Sequence, residues 1–251
     1  MSETGLKTET GHYIILDIDE CLTRAYLGKK DEEGAVLVEK MMKSSNIKNR
    51  NRFYRILMKD YDSELKKEVI TDFWGVKRPY LDEFLTFCEK YFKRIIVWSA
   101  GTKGYVEHVV AALFKNHRKP YAVLTRDDVV YIDTAKKMYH KPLTVIEENY
   151  PGLIERRLTF FVDNMVENFK DNRANGIVIP DFEPDQTVGF TYKDNYLLDL
   201  MKWFMLPEVR RSKDVTKLNK DKIFTGTTTI ENFPYKKMIT NEHKLLYTAF
   251  N

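Results

Sequence analysis

The sequence predicts an α/β fold: a parallel, Rossmann-like sheet flanked by helices, with a small insertion after its first strand. Three observations predict it. Five short runs, Tyr13–Leu16, Arg94–Trp98, Tyr121–Leu124, Leu158–Val162 and Gly176–Ile179, are apolar with little polar alternation, as strands buried on both faces require. Stretches with helical apolar spacing separate them. Three of the runs end abruptly in polar residues, at Asp17, at Ser99 and at Asp163. In parallel sheets the strand ends are where ligands bind, so these groups should meet although 82 and then 64 residues separate them in sequence.

The elements follow in order. Tyr13–Leu16 is β-branched and apolar, and Asp17 and Asp19 end it. Arg24 to Asp72 is polar and irregular, and reads as an insertion (about 24–72) whose middle, Phe53–Met58, has the character of a strand in a small added sheet. Pro79 suits a first helical turn, and Leu81, Phe84, Leu85 and Cys88 follow at i, i+3, i+4 and i+7. Arg94–Trp98 runs into the turn Ser99-Ala100-Gly101. Val106, Val109, Val110, Leu113 and Phe114 mark the next helix. Leu143–Ile154 reads as helix until Pro151-Gly152 interrupts it. Tyr196–Leu206 is an apolar helix that closes the domain. The expected organisation is one domain over 1–206 and a basic extension over 207–251.

Composition bounds the function. The 251 residues are 43% apolar and 31% charged, which fits a folded domain with a sizeable core. No apolar run is long enough for a transmembrane helix. The first twelve residues lack an apolar segment, so export by a signal peptide is not expected. Two distant cysteines, Cys21 and Cys88, exclude a disulfide framework and fit a reducing, intracellular site, cytoplasmic or nuclear. The net charge of +4 is local: six basic and no acidic residues lie between Lys43 and Lys59, and the tail from Leu206 also carries +4.

Asp17-Ile18-Asp19 can turn two carboxylates into one cavity. Close carboxylates raise one another's pKa unless a cation intervenes, and magnesium (Mg2+) is the natural oxygen-bound occupant. One aspartate could attack phosphorus while the second protonates the leaving oxygen. An isolated Asp-x-Asp is more often a solvated strand end, but three further elements accompany it. Ser99, Ala100 and Gly101 offer a hydroxyl and backbone N–H groups ahead of a helix, a phosphate-binding arrangement. Lys141, just before a helical stretch, could neutralise a phosphoryl group. Asp163-Asn164 offers a side-chain oxygen to a metal and a carboxylate to hold the lysine.

The order Asp-x-Asp, Ser, Lys, Asp-Asn resembles the haloacid dehalogenase (HAD) superfamily. The chain is most similar there to the RNA polymerase II C-terminal-domain phosphatases and NLI-interacting-factor-like proteins. Leu16–Leu22, Lys77–Leu85, Val97–Gly101, Thr125-Arg126, His140–Leu143 and Phe161–Asn164 carry the similarity, which spans about Tyr13 to Leu206. The resemblance implies a magnesium-dependent phosphatase acting through an aspartyl-phosphate on phosphoserine or phosphothreonine in protein, with the polymerase C-terminal domain as a candidate partner. It implies Asp17 as nucleophile, Asp19 as general acid/base, Ser99 with neighbouring N–H groups as phosphoryl binder and Lys141 as charge stabiliser. Asp17, the Asp19 carbonyl and Asn164 would hold the metal, with Asp163 in support and Arg126 near the substrate groove. Cys21 stands where the family usually has Thr, whose hydroxyl helps orient the acid/base; Ser99 replaces a common Thr and Gly101 a frequent Ser.

Cys88–Arg94 satisfies the Cys-x5-Arg spacing of cysteine phosphatases, but its interior is bulky and Cys88 falls on a helix stripe, which predicts a buried thiol. The same HAD chemistry could act on nucleotide or nucleic-acid ends, drawn by the basic Lys43–Lys59 stretch with Phe53 and Tyr54 for stacking. A non-catalytic phospho-binding module is the third alternative.

Overall fold

The computed structural model describes residues 10–28, 32–43, 50–62, 66–133, 138–184, 194–224, 227–229 and 233. At its centre lie β1 (Tyr13–Leu16), β5 (Arg94–Trp98), β6 (Ala122–Leu124), β9 (Thr159–Asp163) and β10 (Gly176–Val178). They form one sheet in the order β10-β9-β1-β5-β6, with every pairing parallel. β1 is central, and Leu16 pairs with Val97 on one side and Val162 on the other. The three strands that end in polar residues are therefore neighbours in one register, and their carboxyl ends open onto the same edge.

Both faces of β1, β5 and β9 are covered, which explains their unbroken apolar runs, whereas Val123 of the edge strand β6 and Val178 of the edge strand β10 are exposed. Ile14, Leu16, Ile95, Val97, Phe160 and Val162 point into the larger core. There they meet α2 (Leu81–Tyr91), α3 (Lys103–Leu113) and α5 (Tyr196–Phe204). The alternate residues Ile15, Ile96, Trp98 and Phe161 face a second core with Leu143 and Ile146 of α4 (Leu143–Asn149). The period of two along each strand divides the side chains between the two layers.

The insertion is larger and more regular than expected. β2 (Thr23–Leu27), β3 (Phe53–Asp62) and β4 (Lys67–Lys77) form an antiparallel sheet in the order β2-β4-β3, packed by α1 (Glu32–Met42). It thus begins at Thr23 and runs to Lys77, past the expected 24–72 limits. Its small core of Tyr26, Val38, Phe53, Trp74 and Val76 is assembled from residues far apart in sequence, which hides it from local periodicity. A tyrosine packs where β4 passes Gly75: a Cβ there would meet the Tyr54 ring at 2.0 Å.

Two elements differ at their edges. α4 ends at Asn149, before Pro151-Gly152, and Gly152 takes φ +78, which suits glycine. The hairpin of β7 (Val130–Asp133) and β8 (Met138–His140) leaves no periodicity in the sequence, because its side chains are largely exposed. The main core also extends past 206. Val209, Val215, Ile223 and Phe233 are buried in it, so that boundary does not mark the edge of the packed unit.

Candidate active site

Asp17 leaves β1 with its N–H still bonded to the Val162 carbonyl at 3.0 Å, so strand geometry aims its carboxylate past the sheet edge. The chain then turns tightly: the Ile18 carbonyl accepts from the N–H groups of Cys21, Leu22 and Thr23. Glu20, in this turn, takes φ 58, a strained value for a non-glycine residue of the kind found at functional loops. Arg78, fully buried, locks the turn from behind. Its guanidinium donates to the Cys21 carbonyl at 2.9 Å, to the Pro180 carbonyl at 2.6 Å and to Asp194 at 2.9 Å.

A half-open cleft of about 610 Å³ lies over these strand ends. Asp17, Asp19, Ser99, Ala100, Gly101, Arg126, Lys141 and Asn164 all line it. Asp163 does not. It is wholly buried behind the cleft, where it accepts from Lys141 Nζ at 2.7 Å, Asn168 Nδ2 at 2.8 Å and Met165 N–H at 2.9 Å. Asp163 is thus placed to act through Lys141 rather than on a ligand.

Lys141 is 1% exposed, and its ammonium makes three contacts: Asp17 Oδ1 at 2.5 Å, Asp163 Oδ2 at 2.7 Å and the Trp98 carbonyl at 3.0 Å. Burial favours the neutral amine, but Asp163 and Asp17 outweigh it and hold the pKa above the ordinary lysine value. Asp17 is pushed up to about 8, first by burial, then by the charge of Asp163, with Lys141 opposing. Asp19 is also raised, by burial, while hydrogen bonds from Tyr105 and Ser99 work against the rise.

Those two donors hold the Asp19 carboxylate in place. Tyr105 Oη donates to Asp19 Oδ1 at 2.5 Å, and Ser99 Oγ to Oδ2 at 3.3 Å. The Tyr105 phenol is shifted well above its ordinary range, so it remains a donor. Sequence reasoning missed Tyr105; the signal available was an aromatic one residue off the apolar stripe that begins at Val106. Cys21, where a threonine was the family expectation, is buried and its thiol pKa is raised, leaving a weak S–H in place of a hydroxyl. Gly101 fits the same arrangement: a Cβ on it would lie 2.7 Å from the Tyr105 ring.

Tyr131, Tyr139, Met165 and Asn168 also line the cleft, none of them anticipated. Arg126 is fixed at its rim by Nε to the Ala100 carbonyl at 3.1 Å and by its N–H to the Gly101 carbonyl at 2.9 Å. The basic insertion is less available than its composition implied. Phe53 and Tyr54 are buried, so neither offers a ring for base stacking. Arg55 forms a two-point bond with Asp72 at 2.9 Å and lies over Trp74. Lys48 lies outside the described residues. Cys88 is buried in α2 with its thiol pKa raised, which suits a packing role.

The donor set suits a hard divalent cation. Three buried or half-buried carboxylates, Asp17, Asp19 and Asp163, face a single ammonium, so the cluster is short of positive charge. The side-chain oxygen of Asn168, in the cleft lining, is buried without a hydrogen-bond partner. Asn164 uses its amide nitrogen on Asp181 at 3.1 Å, leaving its oxygen as the remaining acceptor. Among the described residues no group of three or more His, Cys, Asp or Glu side chains forms a metal cluster. The available ligands are the Asp17 carboxylate with amide and backbone oxygens, a set that suits magnesium with retained waters.

The profile of the NLI interacting factor-like phosphatases matches residues 12–216. The chain belongs to this family. Two curated relatives are ubiquitin-like domain-containing CTD phosphatase 1 proteins. The Xenopus tropicalis protein is 29% identical over 147 residues, 57% of this chain and 45% of the relative. The Danio rerio protein is 26% identical over 213 residues, 81% of this chain and 64% of the relative. This NLI interacting factor-like chain thus spans about half to two thirds of their length. The fold matches fission yeast RNA polymerase II CTD phosphatase Fcp1 bound to beryllium fluoride with a TM-score of 0.52 at 17% identity, over 70% of this chain and 43% of that one. A second Fcp1 structure gives a TM-score of 0.51 at 18% identity, with the same coverage. At these identities the likeness shows a shared α/β fold. Among the described residues, no helix is long and apolar enough to cross a membrane.

Proposed function

We propose that the chain hydrolyses phosphoserine or phosphothreonine esters in a peptide, through a phosphoryl group held covalently on Asp17. The observation that carries this reading is the Lys141 ammonium, 2.5 Å from Asp17 and 2.7 Å from Asp163, at the floor of a cleft also lined by Asp19 and Ser99. A buried lysine between two carboxylates costs desolvation, and a developing phosphoryl charge is a reason to keep it there.

The roles follow from position. Asp17 attacks phosphorus from the strand end while Lys141 orients its carboxylate. Ser99 Oγ and the N–H groups of the following turn bind the phosphoryl oxygens. Asp19, whose pKa burial raises, gives its proton to the departing ester oxygen. It then takes a proton from water, which attacks phosphorus, releases phosphate and restores Asp17. Asp17, the Asp19 backbone carbonyl and Asn164 would hold magnesium, which when bound supplies charge neutralisation at the phosphoryl oxygens.

The relatives named as CTD phosphatases support a phosphoprotein substrate, and the half-open cleft admits a peptide chain. The repeats of the RNA polymerase II C-terminal domain are the first candidates, and a nuclear or cytoplasmic site would follow. The test compares hydrolysis of an aryl phosphate with and without magnesium, then phosphopeptides against 5′-phosphorylated oligonucleotides. Magnesium-dependent turnover with preference for phosphopeptides is expected. Preference for oligonucleotides moves the substrate class to nucleic-acid ends, and absence of all turnover leaves only a phospho-binding module.

A further inference from the structure

Beside the catalytic cleft lies a second hollow of about 350 Å³, between β3 of the insertion and the start of α3. Lys59, Lys103 and Arg126 line it, with His108 and Thr102, and Asp127 is the one carboxylate in its wall. Three cations therefore face one anion. Lys103 is only loosely balanced by Glu107, at 4.0 Å with both side chains more than half exposed, so its charge is mostly unspent. His108 uses Nδ1 to donate to the Gly104 carbonyl at 2.7 Å, which leaves Nε2 as its other polar atom.

The start of α3 adds to this. Thr102 is its N-cap, yet its side chain accepts no capping bond, and the first turn holds no acidic residue. The N–H groups and the positive end of this eleven-residue helix are thus left for an external anion. The two cavities are continuous in their construction. Arg126 lines both, and one loop floors them in succession, Ser99–Gly101 in the cleft and Thr102–Gly104 in the hollow. Away from this loop the cleft lining includes exposed Tyr131 and Met165, which carry no charge, and the carboxylate of Glu20. A substrate's second charge is therefore drawn to the α3 side.

Resting on the peptide-phosphatase reading above, we propose that this hollow binds a second phosphoryl group on the same peptide, so that the preferred substrate is multiply phosphorylated. The cleft takes the phosphate to be cleaved, and the Lys59–Lys103–Arg126 hollow retains its neighbour.

The test measures kcat/KM on a monophosphorylated peptide and on versions with a second phosphoserine one, two or three residues to either side. One spacing is expected to gain about tenfold, the scale of one charge-assisted contact. Lys59→Glu and Lys103→Glu should each remove the gain while leaving aryl phosphate and monophosphopeptide rates unchanged. Glutamate at the preferred spacing should gain less, and free inorganic phosphate added to the monophosphopeptide should give no gain. Equal kcat/KM at every spacing overturns the proposal, as does an equal loss on singly and doubly phosphorylated peptides, or a full gain from glutamate or free phosphate. Binding of fluorescent peptides to the same proteins separates this proposal from the catalytic one. A preference for the doubly phosphorylated peptide that charge reversal abolishes supports the hollow even without turnover. Absence of turnover alone counts only against the catalytic reading, and absence of any binding preference counts against the hollow.

Discussion

Lys141 and Asp17 are buried together, and their variants should separate chemistry from stability. Asp17→Asn removes the proposed nucleophile and relieves repulsion with Asp163, so aryl phosphatase activity should fall at least about a thousandfold with thermal stability kept or raised. Lys141→Met strands two buried carboxylates, and chemical denaturation should show a loss of about 3–5 kcal/mol. If Asp17→Asn keeps near-normal turnover, the nucleophile assignment fails. Asp19 gives a finer test. With Cys21 beside it in place of a hydroxyl residue, its orientation depends on Tyr105 and Ser99. Tyr105→Phe should lower kcat by roughly tenfold with little change in KM. Cys21→Thr alone should be tolerated or raise kcat, and combined with Tyr105→Phe should recover part of the loss. A large loss in Cys21→Thr would mean that the thiol has another role.

At the level of elements, α2 is tied to the segment after α3 by His117. Its ring lies 3.4 Å from Asp82 and 3.3 Å from Glu89, and these carboxylates raise its pKa to about 9 despite burial. A group whose folded pKa exceeds its unfolded value, 6.5 here, stabilises fully below that value and loses its contribution as pH rises through the folded pKa. Unfolding free energy should therefore decline between pH 6.5 and 9. The fall should be about 1–2 kcal/mol, because half-exposed Asp82 is partly screened by water. His117→Gln should flatten that slope in denaturant titrations across the range; an unchanged slope would show that the imidazole carries no linked proton. Arg78 is the other tie between elements, joining the turn after Asp19 to Pro180 and Asp194. The Arg-Pro pair was legible as a family feature, but its action as a clamp behind the catalytic turn was not, since its partners lie 57 to 116 residues away.

Across the whole molecule, the segment after α5 is part of the fold. α6 (Pro207–Arg210) and the following turns bring Val209, Val215 and Ile223 into the main core, and each is at most 4% exposed. A chain ending at Leu206 leaves the apolar surface beneath them open to water. Each lost side chain is worth about 1.5–3 kcal/mol. Such a chain should melt well below the full protein or aggregate on expression, as thermal unfolding and size-exclusion chromatography would show. A melting temperature equal to that of the full chain would make the segment an appendage. Its charges concealed this role. Apolar residues spaced irregularly among lysines and arginines have no helical or strand period, and only the surface they cover shows which of them are buried.

The sequence by itself determined the sheet and the polar residues that gather at its carboxyl edge. Strands buried on both faces must be continuously apolar, so β1, β5 and β9 were visible, and the polar residues that end them, Asp17, Ser99 and Asp163, were visible with them. Lys141 and Asn164 were recoverable from their place in the motif order. Tertiary structure alone decided how those residues divide their work. It set Asp163 behind Lys141, brought Tyr105 onto Asp19, buried Phe53 and Tyr54 of the basic insertion, and aligned Lys59 with Lys103 and Arg126. Each of these depends on which chemically similar groups lose water and which neighbours replace it, and contacts between distant segments set that environment.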